Sequence, residues 1–347
     1  MYDYFVNTEL ARLTIILGIV VATLVYKQTG LTLGGVIVPG YLALFIVYPL
    51  NILATMMVAI LAYLVVHKLL QRRFMLNGRV LFETEILVAL VIQLIWNSFS
   101  GYEFMVETNW IPIYGIGFVL PGIITHEMGR SGWFNTILST LLGAILVYLI
   151  VAPLAAVQTA MADFVSPFTF SPLIRPQPSL FGFPMPLLPV GIVVSILLEL
   201  LLFRWIKIRT GGYVTAAYLA LLILRPLDIL FVLGCSLITY IVMKRFVSGN
   251  VLAFGRIRLG VTILLGVVIA WLCEILVINF SVGTFIPWSG FVVIMPMIVS
   301  LLAVDYERQG VVYTLGGAAG MAAAVWLIMQ GVTYGLQTLE LGWIFHI

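Results

Sequence analysis

Four glutamates lie inside or close to long apolar runs, where a carboxylate is costly and needs a partner. Glu199 and Glu274 each lie within such a run, and Glu83 and Glu85 follow a Gly-Arg pair near the start of another. In these surroundings a carboxylate is typical of an ion or substrate pathway, of a buried structural pair, or of a side chain that snorkels to the interface. Arg204 follows Glu199 closely, which favours snorkelling there. The run around Glu274 contains no basic residue, which favours a buried pair or a pathway role.

The histidines do not form a recognisable metal motif. His126 and Glu127 open the H-E-x-x-H pattern of a zinc site, but Arg130 stands where the second histidine belongs. His67 and His346 do not complete a spaced motif with them. The pattern is more typical of a helix end, where His126 and Arg130 lie near the terminal carbonyl groups. Since the phosphate-binding sequence G-x-x-x-x-G-K-[ST] is also absent from the sequence, we predict no metal, no cofactor and no catalytic residue in this chain.

The elements that carry these residues are membrane segments. Of the 347 residues, 63% are hydrophobic and 9% charged, whereas about 25% are charged in a soluble domain. Apolar runs of the roughly 20 residues needed to cross a bilayer recur along the chain. The net charge of +3 is too small to favour a nucleic-acid partner. Cys235 and Cys273 both lie in apolar runs, which argues against a disulfide framework or a thiolate site. The composition predicts an all-α polytopic membrane protein in contact with the lipid bilayer.

Breaks between the apolar runs divide the chain into about twelve candidate membrane segments. They are 10–26, 32–48, 50–67, 81–99, 111–126, 132–153, 184–203, 212–225, 227–243, 259–279, 287–304 and 310–331. If all of them cross from an external N-terminus, every one of the 17 basic residues except Arg12, Arg175 and Arg225 falls on the cytoplasmic side, as the positive-inside rule requires. A competing model treats the short Pro- and Gly-containing segments as re-entrant loops and keeps eight crossings. We favour twelve crossings.

The chain contains the same pattern twice, at a constant offset of 177 residues. The recurring elements are Gly34-Gly35 with Tyr41, which return as Gly211-Gly212 with Tyr218, and Gly78-Arg79, which returns as Gly255-Arg256. We therefore predict two parallel six-segment repeats, 1–155 and 184–347, joined by a linker at 156–183.

A weaker repeat lies within the first half. The pattern G-x-x-x-P-G occurs at 35–40 and at 117–122, each time in the middle of a three-segment unit, and it contains Pro39-Gly40 and Pro121-Gly122. Because three is odd, two such units insert with opposite orientation, as in transporters whose broken middle helices build a midplane site. An equally supported interpretation is that small residues and proline allow close helix packing. In the second half, Ala216-Ala217 replaces Pro39-Gly40 and favours a continuous helix, so we expect that half to be mainly a scaffold.

These elements together resemble the family of poly-γ-glutamate synthase membrane subunits (PgsC/CapC). The resemblance rests on the run from Thr29-Gly30 to Pro39-Gly40-Tyr41, on Gly78-Arg79, and on segment 115–122 followed by Gly132. It covers residues 1–150 well and residues 185–335 more weakly. Because members of that family have about half this length, the chain resembles two fused copies.

The resemblance implies a function and a set of partners. It implies a non-catalytic subunit of a ligase complex in a bacterial-type plasma (inner) membrane, which docks the ligase and helps to translocate poly-γ-glutamate or a related amide-linked polyanion. The implied partners are a cytoplasmic, Mur-ligase-like, ATP-dependent amide ligase, a further membrane-anchored subunit and the polymer. Two other functions stay open, namely a secondary transporter for a small anion and a membrane scaffold without a conduit.

If the product is a polyanion, Arg79 and Arg256 have two equally supported interpretations. Both lie at the predicted cytoplasmic start of a span, where arginine offers fixed donors to carboxylates or simply anchors the helix. The other candidates for a substrate path are Pro39, Gly40, Pro121, Gly122 and Glu274.

Overall fold

The computed structural model of the chain describes residues 8–99, 104–106, 109–111, 115–162, 181–206, 209–212, 214–247, 255–281, 285, 287 and 294–338. Within them the chain is helical except for one short hairpin, which confirms the helical class predicted from composition. The described chain groups into two compact units, Met1–Pro172 and Leu173–Ile347.

The first unit contains six helices and the hairpin. The elements are α1 (Thr8–Thr29), α2 (Val38–Leu44), α3 (Pro49–Tyr63), α4 (Gly78–Phe99), β1 (Phe104–Val106), β2 (Asn109–Ile111), α5 (Leu120–Ser131) and α6 (Trp133–Ala162). Beyond Tyr63, α3 continues as a π-helix, Leu64–Leu70, and a last α-helical turn, Gln71–Phe74. The two strands pair antiparallel with Met105 opposite Trp110. The prediction of purely helical structure missed this hairpin because strands of three residues, two of them aromatic or β-branched, are too short to give an alternating pattern.

The second unit repeats the six helices. They are α7 (Leu188–Ile206), α8 (Thr215–Leu221), α9 (Pro226–Val242), α10 (Gly255–Phe280), α11 (Ile294–Gln309) and α12 (Val311–Thr338). A 3-10 turn, Met185–Leu187, leads into α7, and a π-helix, Met243–Val247, continues α9 as its counterpart continues α3.

Proline and glycine set the same helix starts in both units. Pro49 and Pro226 occupy the first turn of α3 and α9, where the missing N–H has no helical partner to lose. Gly78 and Gly255 begin α4 and α10 with the same left-handed backbone, φ +59°, which glycine adopts without steric cost.

The two middle segments of the first unit are short helices preceded by irregular backbone. Pro39 and Pro121 lie in the first turn of α2 and α5, so these prolines start helices rather than interrupt them. Bends at 34–37 and 116–119 precede them. The broken part of each predicted segment is therefore the loop before the proline.

The replacement of Pro39-Gly40 by Ala216-Ala217 does not lengthen the corresponding helix. Helix α8 has 7 residues, as α2 has. Gly211 and Gly212 precede it with φ +80° and +95°, and left-handed backbone cannot continue a right-handed helix. The expectation of a continuous helix in the second half is wrong, because the glycine pair rather than the proline sets the helix start.

Eight helices of the described chain are long and apolar enough to cross a membrane. They are α1, α3, α4, α6, α7, α9, α10 and α12, with α3 and α9 counted together with their π-helical extensions. Helices α2 and α8, with 7 residues each, rise only about 10 Å, a third of the roughly 30 Å hydrocarbon core. The preference for twelve crossings is therefore not confirmed, and the helix lengths agree with the competing model of eight.

Each unit packs its short helices against long ones in the same way. In the first unit α2 contacts α1 and α6, and α5 contacts α3 and α4. In the second unit α8 contacts α7 and α12, and α11 contacts α9 and α10. The core of the first unit lies between α2, α3 and α5 and includes Val38, Leu42, Met56, Ala59, Ile124 and Met128. Residues 156–162 of the predicted linker continue α6. Its residues 163–180, like residues 288–293 of the predicted span 287–304, lie outside the described residues.

Candidate functional site

A buried carboxylate held by two imidazoles is the most distinctive polar cluster in the described part of the first unit. The side chain of Glu85 on α4 has no exposed surface. Its Oε1 lies 2.8 Å from Nε2 of His67, and its Oε2 lies 2.6 Å from Nδ1 of His126. The other ring nitrogen of His67, Nδ1, lies 2.7 Å from Oε1 of Gln71. We call these four side chains the Glu85 cluster.

Three different elements position the cluster. His67 lies in the π-helical extension of α3, a type of local distortion frequent at functional sites. His126 comes from α5, and its ring stands edge-on to Phe82 with ring centroids 4.7 Å apart. Gly129 makes room for His67, because a Cβ at that position would overlap the imidazole. The side chains of His67 and His126 are 14% and 24% exposed, so they connect the buried carboxylate to the surface.

Arg79 forms an ion pair on the same helix, between the helix start and Glu85. Its Nε donates to Oε1 of Glu83, which is 1% exposed. An ionised carboxylate so buried needs a cation, which Arg79 supplies from the left-handed Gly78 start of α4. The structure therefore gives Arg79 a partner that the sequence did not predict.

The Pro-Gly elements lie at tight helix contacts. Gly40 is buried on α2, and a Cβ there would lie 2.9 Å from the Cα of Ile15 on α1. Gly122 is buried on α5, and a Cβ there would lie 2.6 Å from the Cα of Ile86 on α4. Both glycines thus serve the close packing that one interpretation of the pattern predicted. Gly122 lies against the helix that carries Arg79, whereas Gly40 lies against α1.

The irregular segment before α5 is fixed by two polar side chains. Nε2 of Gln93 donates to the carbonyl oxygens of Gly115 and Gly117 at 3.2 and 2.7 Å. The amide of Ile116 donates to Oγ1 of Thr55 at 2.8 Å. These contacts hold the Gly-rich segment between α3 and α4, and so fix where α5 and His126 begin.

The second unit places its candidates differently. Arg256, at the start of α10, is half-buried and engaged with another group, and Glu274 is 2% exposed and also engaged. Tyr218 is buried on α8, whereas Tyr41 on α2 is half-buried. Glu199 is fully buried on α7, so the snorkelling interpretation of that residue is wrong, because its side chain lies in the protein interior instead of reaching the interface.

At the described positions of the second unit that correspond to the Glu85 cluster, other side chains are present. At the offset of 177, Lys244 corresponds to His67 and Thr262 to Glu85. Counting back from the glycines that follow α5 and α11, Val304 corresponds to His126. Nearby, Oε1 of Gln309 instead accepts the N–H of Arg209 at 2.8 Å, and Nη1 of Arg209 lies 3.8 Å from Oδ1 of Asp305. The two units therefore share a backbone and differ in polar chemistry at this place.

Sequence reasoning missed the cluster because its members are 18 and 41 positions apart. The local sequence around His126 is typical of a helix end, and metal motifs are recognised from short spacings. Within the described residues, no group of three or more His, Cys, Asp or Glu side chains is arranged to hold a metal ion. A usable signal was present in the sequence, since Glu85 and both histidines occur only in the first of two repeats.

Comparison with known proteins identifies the family. The model for the family described as capsule biosynthesis CapC matches the chain twice, over residues 17–137 and 194–315. Over 130 residues the chain is 30% identical to the PGA biosynthesis protein CapC of Bacillus subtilis (strain 168), an alignment that covers 38% of this chain and 85% of that protein. Over 136 residues it is 29% identical to the capsule biosynthesis protein CapC of Bacillus anthracis, with the same two coverages. No solved structure matches the chain significantly. With one match in each compact unit, the chain belongs to the CapC family of capsule biosynthesis proteins and contains the family's sequence twice.

Proposed function

We propose that this chain is the non-catalytic membrane subunit of a machinery that makes and exports poly-γ-glutamate or a related amide-linked polyanion. The observation that carries the proposal is the pair of family matches, at 17–137 and 194–315. The two relatives are named for PGA biosynthesis and for capsule biosynthesis. Eight helices long and apolar enough to cross a membrane suit a step in which such a polymer leaves the cell.

The chemistry of the product explains why a membrane subunit is needed. Each residue of a γ-linked glutamate polymer carries a free carboxylate, and a charged group is costly in the apolar layer of a bilayer. The polymer therefore needs a protein-lined path. Since the sequence has no phosphate-binding loop, we assign amide-bond formation to a cytoplasmic ATP-dependent ligase that docks on this subunit in the inner membrane, with a further membrane-anchored subunit as a third component.

We further propose that each unit is a 3+3 inverted repeat. The two halves of the first unit are α1–α2–α3 and α4–α5–α6. When the halves are exchanged, the contacts of α2 with α1 and α6 become contacts of α5 with α4 and α3. Both sets of contacts are observed. The helices of the second unit pack with the same exchange. Inverted repeats with short middle helices are typical of transport proteins, and this supports a translocation role over a simple scaffold.

In this proposal Arg79 binds the polymer where it enters the protein. In the structure Arg79 is paired with Glu83, so a polymer carboxylate must compete with Glu83 for the guanidinium. Arginine suits this exchange because it keeps its charge and donates in a fixed fork. Arg256 occupies the same position after Gly255 in the second unit, but Gly260 stands at the offset position of Glu83, so the competing carboxylate is absent from that position of α10.

The test compares cells that contain the cognate ligase with and without this chain. The secreted γ-linked polymer is measured, together with co-purification of the ligase. We expect secreted polymer only when the chain is present, and ligase that co-purifies with it. Equal polymer secretion without the chain would refute the proposal.

The packing symmetry also favours a second candidate, a secondary transporter for a small anion. Proteoliposomes that contain the chain without any ligase distinguish the two functions. Uptake of a small carboxylate such as glutamate, together with an absence of polymer in cells, would favour the transporter.

A further inference from the structure

We propose that the Glu85 cluster is a proton-binding site, and that the first unit binds and releases a proton there while the second unit does not. The proposal stands on the geometry of four side chains and goes beyond the proposed function. Its ligand is a proton taken from water at the exposed edges of His67 and His126.

The first step in the argument is the hydrogen-bond inventory of His67. Its two ring nitrogens face two oxygen atoms, Oε1 of Glu85 and Oε1 of Gln71. An imidazole donates from both nitrogens only when it carries the extra proton. The arrangement of the structure is thus that of the cluster with the extra proton, which is held on the His67 ring or on the Glu85 carboxyl group. Beside an ionised Glu85, a neutral His67 fits the same place only after the amide of Gln71 turns by half a rotation, so that its NH₂ group donates to Nδ1.

The second step is the charge of the cluster. Glu85 has two carboxylate oxygens and accepts one N–H from each histidine when it is ionised. With both rings neutral the cluster carries one negative charge on a fully buried group, which is unfavourable. One further proton makes the cluster neutral. When His67 and Glu85 hold that proton, the two protonation states differ by one proton and by the orientation of Gln71. In both states each cluster atom that faces another member has a matching hydrogen-bond partner.

The surrounding charges do not oppose this uptake strongly. The charged side chains on the elements packed around the cluster are Lys68, Arg72 and Arg73 after α3, Arg79 and Glu83 on α4, and Glu127 and Arg130 on α5; α6 carries none. Lys68, Arg72, Arg73 and Arg130 are exposed, where solvent and salt screen them. Arg79 and Glu83 form a pair. Glu127, next to His126, is 5% exposed.

The third step is the comparison of the two units. The π-helical extension is present in both, at Leu64–Leu70 and Met243–Val247, so the backbone that presents His67 is preserved. The proton-exchanging side chains are not preserved. Lys244, Thr262 and Val304 occupy the positions of His67, Glu85 and His126. A structural role alone would be served by either set of residues, whereas proton exchange near neutral pH is a property of histidine.

The experiment uses the full chain in detergent with ¹⁵N-labelled histidine. The sequence has 3 histidines, so three imidazoles are followed across about pH 5 to pH 9, the range in which histidine titrates. Each is assigned by its own His→Gln variant, and His346 is the reference. In the wild type we expect the His67 and His126 signals to change together, since coupled groups titrate as one system. In Glu85→Gln they are expected to change over separate pH intervals, with His346 unaffected.

A second variant keeps the test decisive if Glu85→Gln does not fold. Gln71→Leu removes the oxygen that faces His67 on a half-buried position and leaves Glu85 and His126 in place. We expect it to alter the titration of both His67 and His126, because the effect passes through the shared carboxylate. Independent titration of His67 and His126 in the wild type, or a response to Gln71→Leu at His67 alone, would overturn the proposal. Since no polymer is measured, this result does not depend on whether the proposed function is correct.

Discussion

Replacing Gly122 by alanine tests whether the Pro-Gly element of α5 is a packing device. Gly122 is buried one turn before His126, and α5 lies against α4 at this point. An added Cβ would meet the Cα and Cγ1 of Ile86 at 2.6 and 2.8 Å. A backbone atom cannot rotate away as the end of a side chain does, so α4 and α5 must move apart. Gly122→Ala is therefore expected to destabilise the first unit.

The size of the effect follows from the contact distance. Ordinary van der Waals contact begins at 3.4 Å, so the contact at 2.6 Å must open by about 0.8 Å. Overpacking of this kind costs about 1–3 kcal/mol, and the helix preference of alanine over glycine returns at most about 1 kcal/mol. A net loss of up to about 2 kcal/mol is expected. If the same opening extends one turn along α5, the 2.6 Å contact between His126 Nδ1 and Glu85 Oε2 lengthens to about 3.4 Å, near the limit of a hydrogen bond.

The assay is thermal unfolding of the full chain in detergent, followed by tryptophan fluorescence, with secreted polymer per inserted subunit as a second readout. Gly320→Ala and Gly331→Ala on α12 are matched controls, because a Cβ at either position meets open space. We expect the controls to unfold at or above the wild-type temperature and Gly122→Ala below it. A Gly122→Ala variant as stable as the controls would refute the packing argument. Normal stability with lost polymer would instead assign Gly122 to the path.

Three further predictions use the same full chain. Gly18→Ala is expected to lower the free energy of unfolding by about 1–3 kcal/mol, because its Cβ would overlap the Cα of Gly40. The same unfolding assay measures this change, and unchanged stability would contradict the α1–α2 contact. Arg79→Lys is expected to retain more secreted polymer per inserted subunit than Arg79→Gln, because lysine keeps the charge and loses the fork; equal output from both variants would remove Arg79 from the path. A cysteine at Arg73 is expected to resist an impermeant thiol reagent in intact cells, while one at Glu103, which lies outside the described residues, reacts, because basic loops face the cytoplasm; ready labelling at Arg73 would overturn this sidedness.

The amino-acid sequence by itself determined the class, the duplication and the family. Long apolar runs determine membrane helices, since a helix satisfies its backbone hydrogen bonds within one segment of the chain. The recurrence of Gly78-Arg79 as Gly255-Arg256 determined the repeat, and both glycines adopt the same left-handed backbone, φ +59°. The number of membrane crossings did not follow from the sequence, because hydropathy measures the apolar length of a segment and not how much of that segment is helical. Helix α2 fills only 7 residues of the predicted span 32–48.

Only the tertiary structure decided which polar residues meet. Positions 67, 85 and 126 share no local spacing, and they converge because α5 packs against both α3 and α4 while the π-helical extension of α3 presents His67. By contrast, the pair of Arg79 with Glu83 is local, because the i, i+4 geometry of α4 brings these two side chains together. Local sequence determines the conformation of a segment through the backbone preferences of neighbouring residues. A buried polar cluster depends on contacts between segments far apart in the chain, which become visible only when the helices are packed.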